Sequence, residues 1–164
     1  MKTATLCLLV KRNNAGAVNE ILLAMKKRGF AEGKWNGVGG KVEDGESIEQ
    51  AMVRETQEEI EVVVRDFHKV AELTFTFVDN PEWGQVVHTY FCEEWLGEPV
   101  ETEEMRPQWF NVNGLPFEQM WWDDKYWLPM VIEGKQVKGD FKFKDSDTLL
   151  SQSLEESNFN DGDR

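Results

Sequence analysis

The segment from Ser47 to Val62 puts negative charge on the side of a helix that should face a core. Ser47-Ile48-Glu49-Gln50 forms a capping box, in which the Ser hydroxyl and the Gln side chain satisfy free amides at a helix start, and it predicts a helix over Ile48 to Ile60. On a wheel turning about 100° per residue, Ala51 and Met52 fall within roughly 60° of Ile48 and define a buried stripe. Glu55 and Glu59 land on that stripe, within about 20° of Ile48, and Glu58 lies about one residue step away. Like charges four apart on a helix repel, and partly buried carboxylates without partners cost several kcal/mol or take up protons. Either basic side chains or a hard divalent cation must offset this. Magnesium suits such a site because it takes oxygen ligands and bridges carboxylates to phosphates. The opposing reading is a solvated Glu-rich helix with Arg54 and Arg65 in surface pairs.

The chain around this helix is 164 residues long and 40% hydrophobic, the size of one domain. That domain is expected over residues 1 to 150, followed by a polar, acidic tail over 151 to 164 that should fray. Thr3 to Val10 and Glu20 to Lys26 read as a hairpin around Asn13-Asn14-Ala15-Gly16. Six glycines between Arg28 and Gly45, at 29, 33, 37, 39, 40 and 45, predict a loop with a short strand inside it. Val70 to Val78, Val86 to Trp95, Gln108 to Val112 and Gln136 to Lys144 read as strands, and a second helix is expected between Pro116 and Glu133.

The formal charge of −13 opposes binding of a nucleic-acid polymer, whose affinity comes from Lys and Arg, but not of one nucleotide whose phosphates a metal ion can neutralise. The apolar run Leu6 to Val10 is too short for a signal-peptide core or a membrane span. Cys7 and Cys92 sit in apolar runs and read as reduced core residues. The expectation is a cytoplasmic monomer without a membrane partner, nuclear or mitochondrial presence remaining open. His68 and His88 have no metal-ligand spacing and read as structural.

Gly40, five residues, Glu46, seven residues, then Arg54-Glu55-Thr56-Gln57-Glu58-Glu59-Ile60-Glu61-Val62 resembles the Nudix box, Gly-x5-Glu-x7-Arg-Glu-aliphatic-x-Glu-Glu-x-Gly-aliphatic. Thr56 stands where the pattern has an aliphatic residue and Glu61 where it has the helix-ending glycine. Further blocks resemble the animal MutT-homologue branch of that family, which hydrolyses oxidised purine nucleoside triphosphates. These are Met25-Lys26-Lys27-Arg28-Gly29-Phe30, Trp35-Asn36-Gly37, Gly39-Gly40-Lys41-Val42, Glu104-Met105-Arg106-Pro107, Pro116-Phe117 and Trp121-Trp122-Asp123-Asp124-Lys125-Tyr126-Trp127. Trp122 stands where the branch has proline, the first hairpin is longer, and residues 81 to 87 match poorly, although one pocket wall should come from there.

The resemblance implies an α/β fold, the Nudix α/β/α sandwich with a central mixed sheet and flanking helices. It implies a Mg2+-dependent hydrolase, with Mn2+ as a substitute, that converts 8-oxo-dGTP and 2-hydroxy-dATP to the monophosphate and pyrophosphate. Another Nudix substrate, such as an unmodified triphosphate, or a non-catalytic nucleotide-binding module are the competing readings. By the same resemblance Gly40, Glu55, Glu58, Glu59 and Glu104 hold metal, with Glu59 or Glu104 deprotonating water and Arg54 orienting a carboxylate. Substrate falls to Thr5, Lys26, Phe30, Asn36, Gly39, Gly40, Trp121, Asp123 and Asp124. Trp121 offers a flat face to a purine, Phe30 a second wall, and Asn36 a donor and an acceptor. The adjacent Asp123 and Asp124, sharing one proton, could suit both 8-oxoguanine and 2-hydroxyadenine.

Overall fold

The computed structural model describes residues 1 to 159. In chain order it has β1 (Lys2–Arg12), β2 (Val18–Lys26), β3 (Trp35–Asn36), α1 (Ile48–Ile60), β4 (Val63–Phe77), β5 (Gln85–Leu96), β6 (Met105–Asn111), α2 (Asp124–Ile132), β7 (Gln136–Phe143) and β8 (Leu149–Ser157). The strands form a mixed sheet in the order β3-β2-β1-β5-β4-β7-β8, with β6 pairing β2. β1 runs parallel to β5 and β4 parallel to β7; the other strand pairs are antiparallel.

Alternation along β1 builds a core on each face of the sheet, because successive side chains of a strand point to opposite sides. Leu8 and Val10 pack with Trp127, Leu128 and Val131 of α2, whereas Cys7 and Leu9 pack with Met52 and Ile60 of α1. The result is the expected α/β/α sandwich. Both cysteines are buried and free, as expected for core residues. Among the described residues no helix is long and apolar enough to cross a membrane.

α1 spans the predicted residues, and its capping box is formed: Ser47 Oγ accepts from Gln50 N and Gln50 Oε1 accepts from Ser47 N. Its buried face is Ala51, Met52, Thr56 and Ile60, rotated by about half a residue step from the predicted stripe. Glu55 and Glu59 are therefore partly buried at its flank, and Glu58 is exposed. The wheel was anchored on Ile48, which is itself only half-buried. Thr56 is tolerated in the core because its hydroxyl donates to the Met52 carbonyl at 2.8 Å. Glu61 ends the helix in the left-handed region, at φ 60°, without the glycine that suits it.

The tail departs from expectation. Residues expected to fray form β8, which pairs antiparallel with β7 from Gln136↔Ser157 to Phe143↔Leu149. Beyond it Phe159 is buried, its N–H donated to Gln136 Oε1 at 3.0 Å and its ring beneath Lys69 Nζ at 4.6 Å. The remainder of the tail lies outside the described residues.

β1 and β2 pair only from Val10↔Ile21 to Arg12↔Val18 and then part. The glycine-rich segment takes the vacated edge of β1: Thr5 N donates to Gly40 O at 2.9 Å, Val38 N to Cys7 O at 3.0 Å and Val42 N to Thr3 O at 3.0 Å. β2 turns instead to β6, in register from Glu20↔Asn111 to Lys26↔Met105.

Candidate active site

A cavity of about 390 Å³ lies where the strands part. It is within the range that takes a nucleotide-sized ligand. Its lining includes Gly39, Gly40 and Glu59, the aromatic and acidic residues Trp121, Asp123, Asp124 and Trp127, and Thr5, Lys26, Phe30 and Asn36. All nine residues expected to bind substrate line this one space.

The glycines are required by contact rather than by backbone angle. A Cβ on Gly39 would stand 1.8 Å from the Thr5 carbonyl oxygen, and one on Gly40 would stand 2.4 Å from Glu55 Cδ. Their absence lets the segment lie flat on β1 and lets the Glu55 carboxylate reach the backbone at Gly40.

Arg54 organises the acidic face of α1. Its guanidinium reaches Glu46 at 2.6 Å, Glu55 at 2.8 Å, Glu58 at 3.2 Å and Glu43 at 3.8 Å. This one cation holds the Glu46 carboxyl down at about 2, chiefly through its hydrogen bonds. Four carboxylates around one guanidinium leave a surplus of negative charge. Glu59 stands apart, its Oε2 accepting from Gly39 N at 2.9 Å. Burial first, offset by that amide, and then the charges of Glu55 and Glu104 push its pKa up to about 7, while Lys26 pulls it down.

Glu104 is near enough to act on Glu59 by charge, but its carboxylate is turned to Arg28, with bonds of 2.6 and 2.9 Å. Glu55 and Glu58 are thus held by Arg54 and Glu59 by Gly39, the Glu104 carboxylate is turned away, and among the described residues no three of the expected carboxylates converge closely enough to hold a metal ion. Thr102 links the two regions by donating its hydroxyl to Glu59 O at 3.0 Å.

Asp123 and Asp124 are each 3% exposed. Trp127 Nε1 donates to Asp123 Oδ2 at 2.9 Å and to Asp124 Oδ1 at 3.2 Å. Burial, followed by the charge of Asp123, raises Asp124 well above the usual carboxylate range; burial also raises Asp123, opposed by the Trp127 N–H. Asp124 Oδ2 is buried with no hydrogen-bond partner among the described residues. A buried polar atom of this kind calls for a proton or a ligand. Asn36 accepts the Gly37 N–H through Oδ1 at 2.9 Å, which leaves its amide nitrogen to donate into the cavity.

Among the lining residues to which the sequence gives no role, Trp127, Lys34 and Trp83 stand out. Trp127 orients the Asp pair from one turn along α2, a spacing visible as Asp123-x3-Trp127. Lys34 places its Nζ 5.5 Å from the Trp121 ring centroid. Trp83, from a 3-10 turn over Pro81–Trp83, supplies the wall expected from the poorly matching segment. Trp122 is 48% exposed and stays outside the lining.

Residues 1–131 match the NUDIX domain family. The chain is 49% identical over 136 residues to an oxidized purine nucleoside triphosphate hydrolase of Mus musculus, covering 83% of this chain and 86% of that one. It is 46% identical to the protein of the same name in Danio rerio, with the same coverage. In fold it is similar to a MutT protein from Bacillus halodurans, with a TM-score of 0.79 at 25% identity over 94% of this chain and 97% of that one. The carboxylate helix set against a glycine-rich strand, the sandwich that carries both and these similarities have one meaning: the chain belongs to the Nudix family.

Proposed function

We infer that this protein hydrolyses oxidised purine nucleoside triphosphates to the monophosphate and pyrophosphate, so that polymerases do not meet them. The observation that carries the reading is the continuity of one cavity from Trp121 and the Asp123-Asp124 pair to Gly39, Gly40 and Glu59. A purine held by the first group delivers its phosphates to the second. The names of the Mus musculus and Danio rerio relatives point to the same substrates.

Mg2+, replaceable by Mn2+, is the cation proposed for the acidic face. The residues that would hold it are Glu55, Glu58 and Glu59, hard oxygen donors beside the Gly40 backbone and more charge than Arg54 balances; they would have to turn toward one ion, since among the described residues they do not converge on one point. Such an ion lowers the pKa of water and neutralises phosphate charge. Arg54 then keeps Glu55 and Glu58 oriented, and Gly39 fixes Glu59. We assign Glu59 as the group that takes the proton from the attacking water, because it lines the cavity whereas Glu104 is engaged by Arg28. A protonated Asp124 donates to the purine edge while Asp123 accepts. Lys26, which lines the same cavity, serves the sugar or base.

Side-by-side turnover of 8-oxo-dGTP, 2-hydroxy-dATP and dGTP, with and without Mg2+, tests this. Faster turnover of the oxidised pair is expected, with pyrophosphate released only when the cation is present. Equal rates on all three would remove the sanitising role.

A further inference from the structure

Phe30, the second wall for the base, is 62% exposed, an unusual place for a large apolar ring. It stands on a loop that bends through positive φ at Gly29 (82°), Ala31 (69°) and Gly33 (83°). Two indoles bracket it: Trp121 with ring centroids 5.6 Å apart at 36°, and Trp83 at 5.5 Å and 61°. Trp83 in turn is held fast. Its backbone N–H donates to Asn80 O at 3.0 Å, its ring meets Phe77 at 5.6 Å, and Phe77 stacks on Phe143 at 5.3 Å. Ring contacts thus run unbroken from the loop that carries Phe30 to strands β4 and β7.

A purine lying between two rings needs them about 7 Å apart, twice a van der Waals contact distance. Phe30 and Trp121 are closer than that, so Phe30 must give way when a base enters, and Trp83 is the ring it moves against. We propose that Trp83 is a positioning residue for the purine: it limits the retreat of Phe30 and keeps that ring pressed on the base held by Trp121. The proposal rests on the purine-triphosphate reading above. It concerns Trp83 alone, in the segment where this chain departs from the branch it resembles.

The test is steady-state hydrolysis of 8-oxo-dGTP by wild type, Trp83→Leu, Trp83→Phe, Phe30→Ala and the Trp83→Leu/Phe30→Ala double variant. Trp83→Leu is expected to raise KM about three- to tenfold, the worth of one aromatic contact, with kcat held within about twofold. Trp83→Phe should keep KM close to that of wild type, and Trp83→Leu should add nothing once Phe30 is alanine, because it acts through that ring. An unchanged KM in Trp83→Leu, a fully additive double variant, or a fall in kcat at constant KM overturns the proposal. Should Trp83→Leu not fold, Phe30→Ala and Trp83→Phe decide alone: an unchanged KM in Phe30→Ala, or a KM raised about threefold or more in a folded Trp83→Phe, overturns it. A wild type inactive on purine triphosphates would overturn the functional reading itself, whereas an active wild type with an indifferent Trp83 would overturn only this inference.

Discussion

The backbone N–H of Gly39 donates to Glu59 Oε2 at 2.9 Å, so the glycine-rich segment and the carboxylate helix meet at one oxygen. Glutamine at position 59 would keep that bond through its amide oxygen while losing both the ability to take a proton and the charge offered to a cation. Pyrophosphate release by Glu59→Gln is expected to fall by about 10²- to 10⁴-fold. Activity equal to wild type would remove Glu59 from the chemistry.

The same substitution should stabilise the metal-free protein at neutral pH. Burial raises Glu59 from 4.5 to about 7. A group raised on folding contributes stability that is fully present below its unfolded pKa and is lost as pH rises through its folded one. Wild type should therefore lose stability between about pH 4.5 and 7 through this residue, by up to about 3 kcal/mol, and Glu59→Gln should not. Urea denaturation with chelator at pH 4, 6 and 8 measures the difference, and a difference independent of pH would contradict it.

Gly39→Ala and Gly40→Ala should fail differently. At Gly39 the new methyl meets the Thr5 carbonyl, main chain that cannot step aside, and a loss of about 1–3 kcal/mol or more is expected. At Gly40 it meets the end of the Glu55 side chain, which can turn away but leaves Arg54 in doing so. Denaturation and pyrophosphate release measured together should show the larger stability loss in Gly39→Ala, with Gly40→Ala chiefly losing activity.

Glu61→Gly should stabilise. A residue with a Cβ costs roughly 1–2 kcal/mol in the left-handed region, and a carboxylate at a helix C-terminus opposes the helix dipole. An increase of about 1 kcal/mol is expected, raising Tm by about 2–4 °C without changing kcat. A lower Tm would mean that Glu61 makes a contact that outweighs its backbone.

Trp127→Phe removes the one N–H that serves both carboxyls of the Asp pair. A cost of about 1–3 kcal/mol in stability is expected from the unsatisfied acceptors. KM for an oxidised purine triphosphate should rise more than kcat falls if, as proposed, the pair holds the base while Glu59 serves the chemistry. Equal losses in both constants would argue against that division.

The sequence announces what is local. Ser47 and Gln50 mark the start of α1 through bonds made within one turn, and alternation along residues 136 to 143 marks β7. β8 is illegible because Leu149–Ser157 has few apolar residues; its pairing with β7 comes from the main chain of another strand. Glu104 was readable as an acid near the metal residues, but its ion pair with Arg28 spans 76 positions and no spacing announces it. The phase of α1 was misjudged for a similar reason: Thr56 looks polar, yet a hydrogen bond back to Met52 makes it a core residue. Trp83 lay in the segment least like the family and had no motif to mark it.

Lys2, Lys26, Lys34 and Lys41 all border the cavity of a chain whose formal charge is −13. Such a net charge repels anions in general, and these four side chains offset it locally. The expected consequence is that a free nucleotide meets mainly these lysines, whereas a long polyanion would also meet the repulsion of the surrounding surface. Raising ionic strength would screen both effects, slowing capture at dilute substrate and leaving the saturated rate alone.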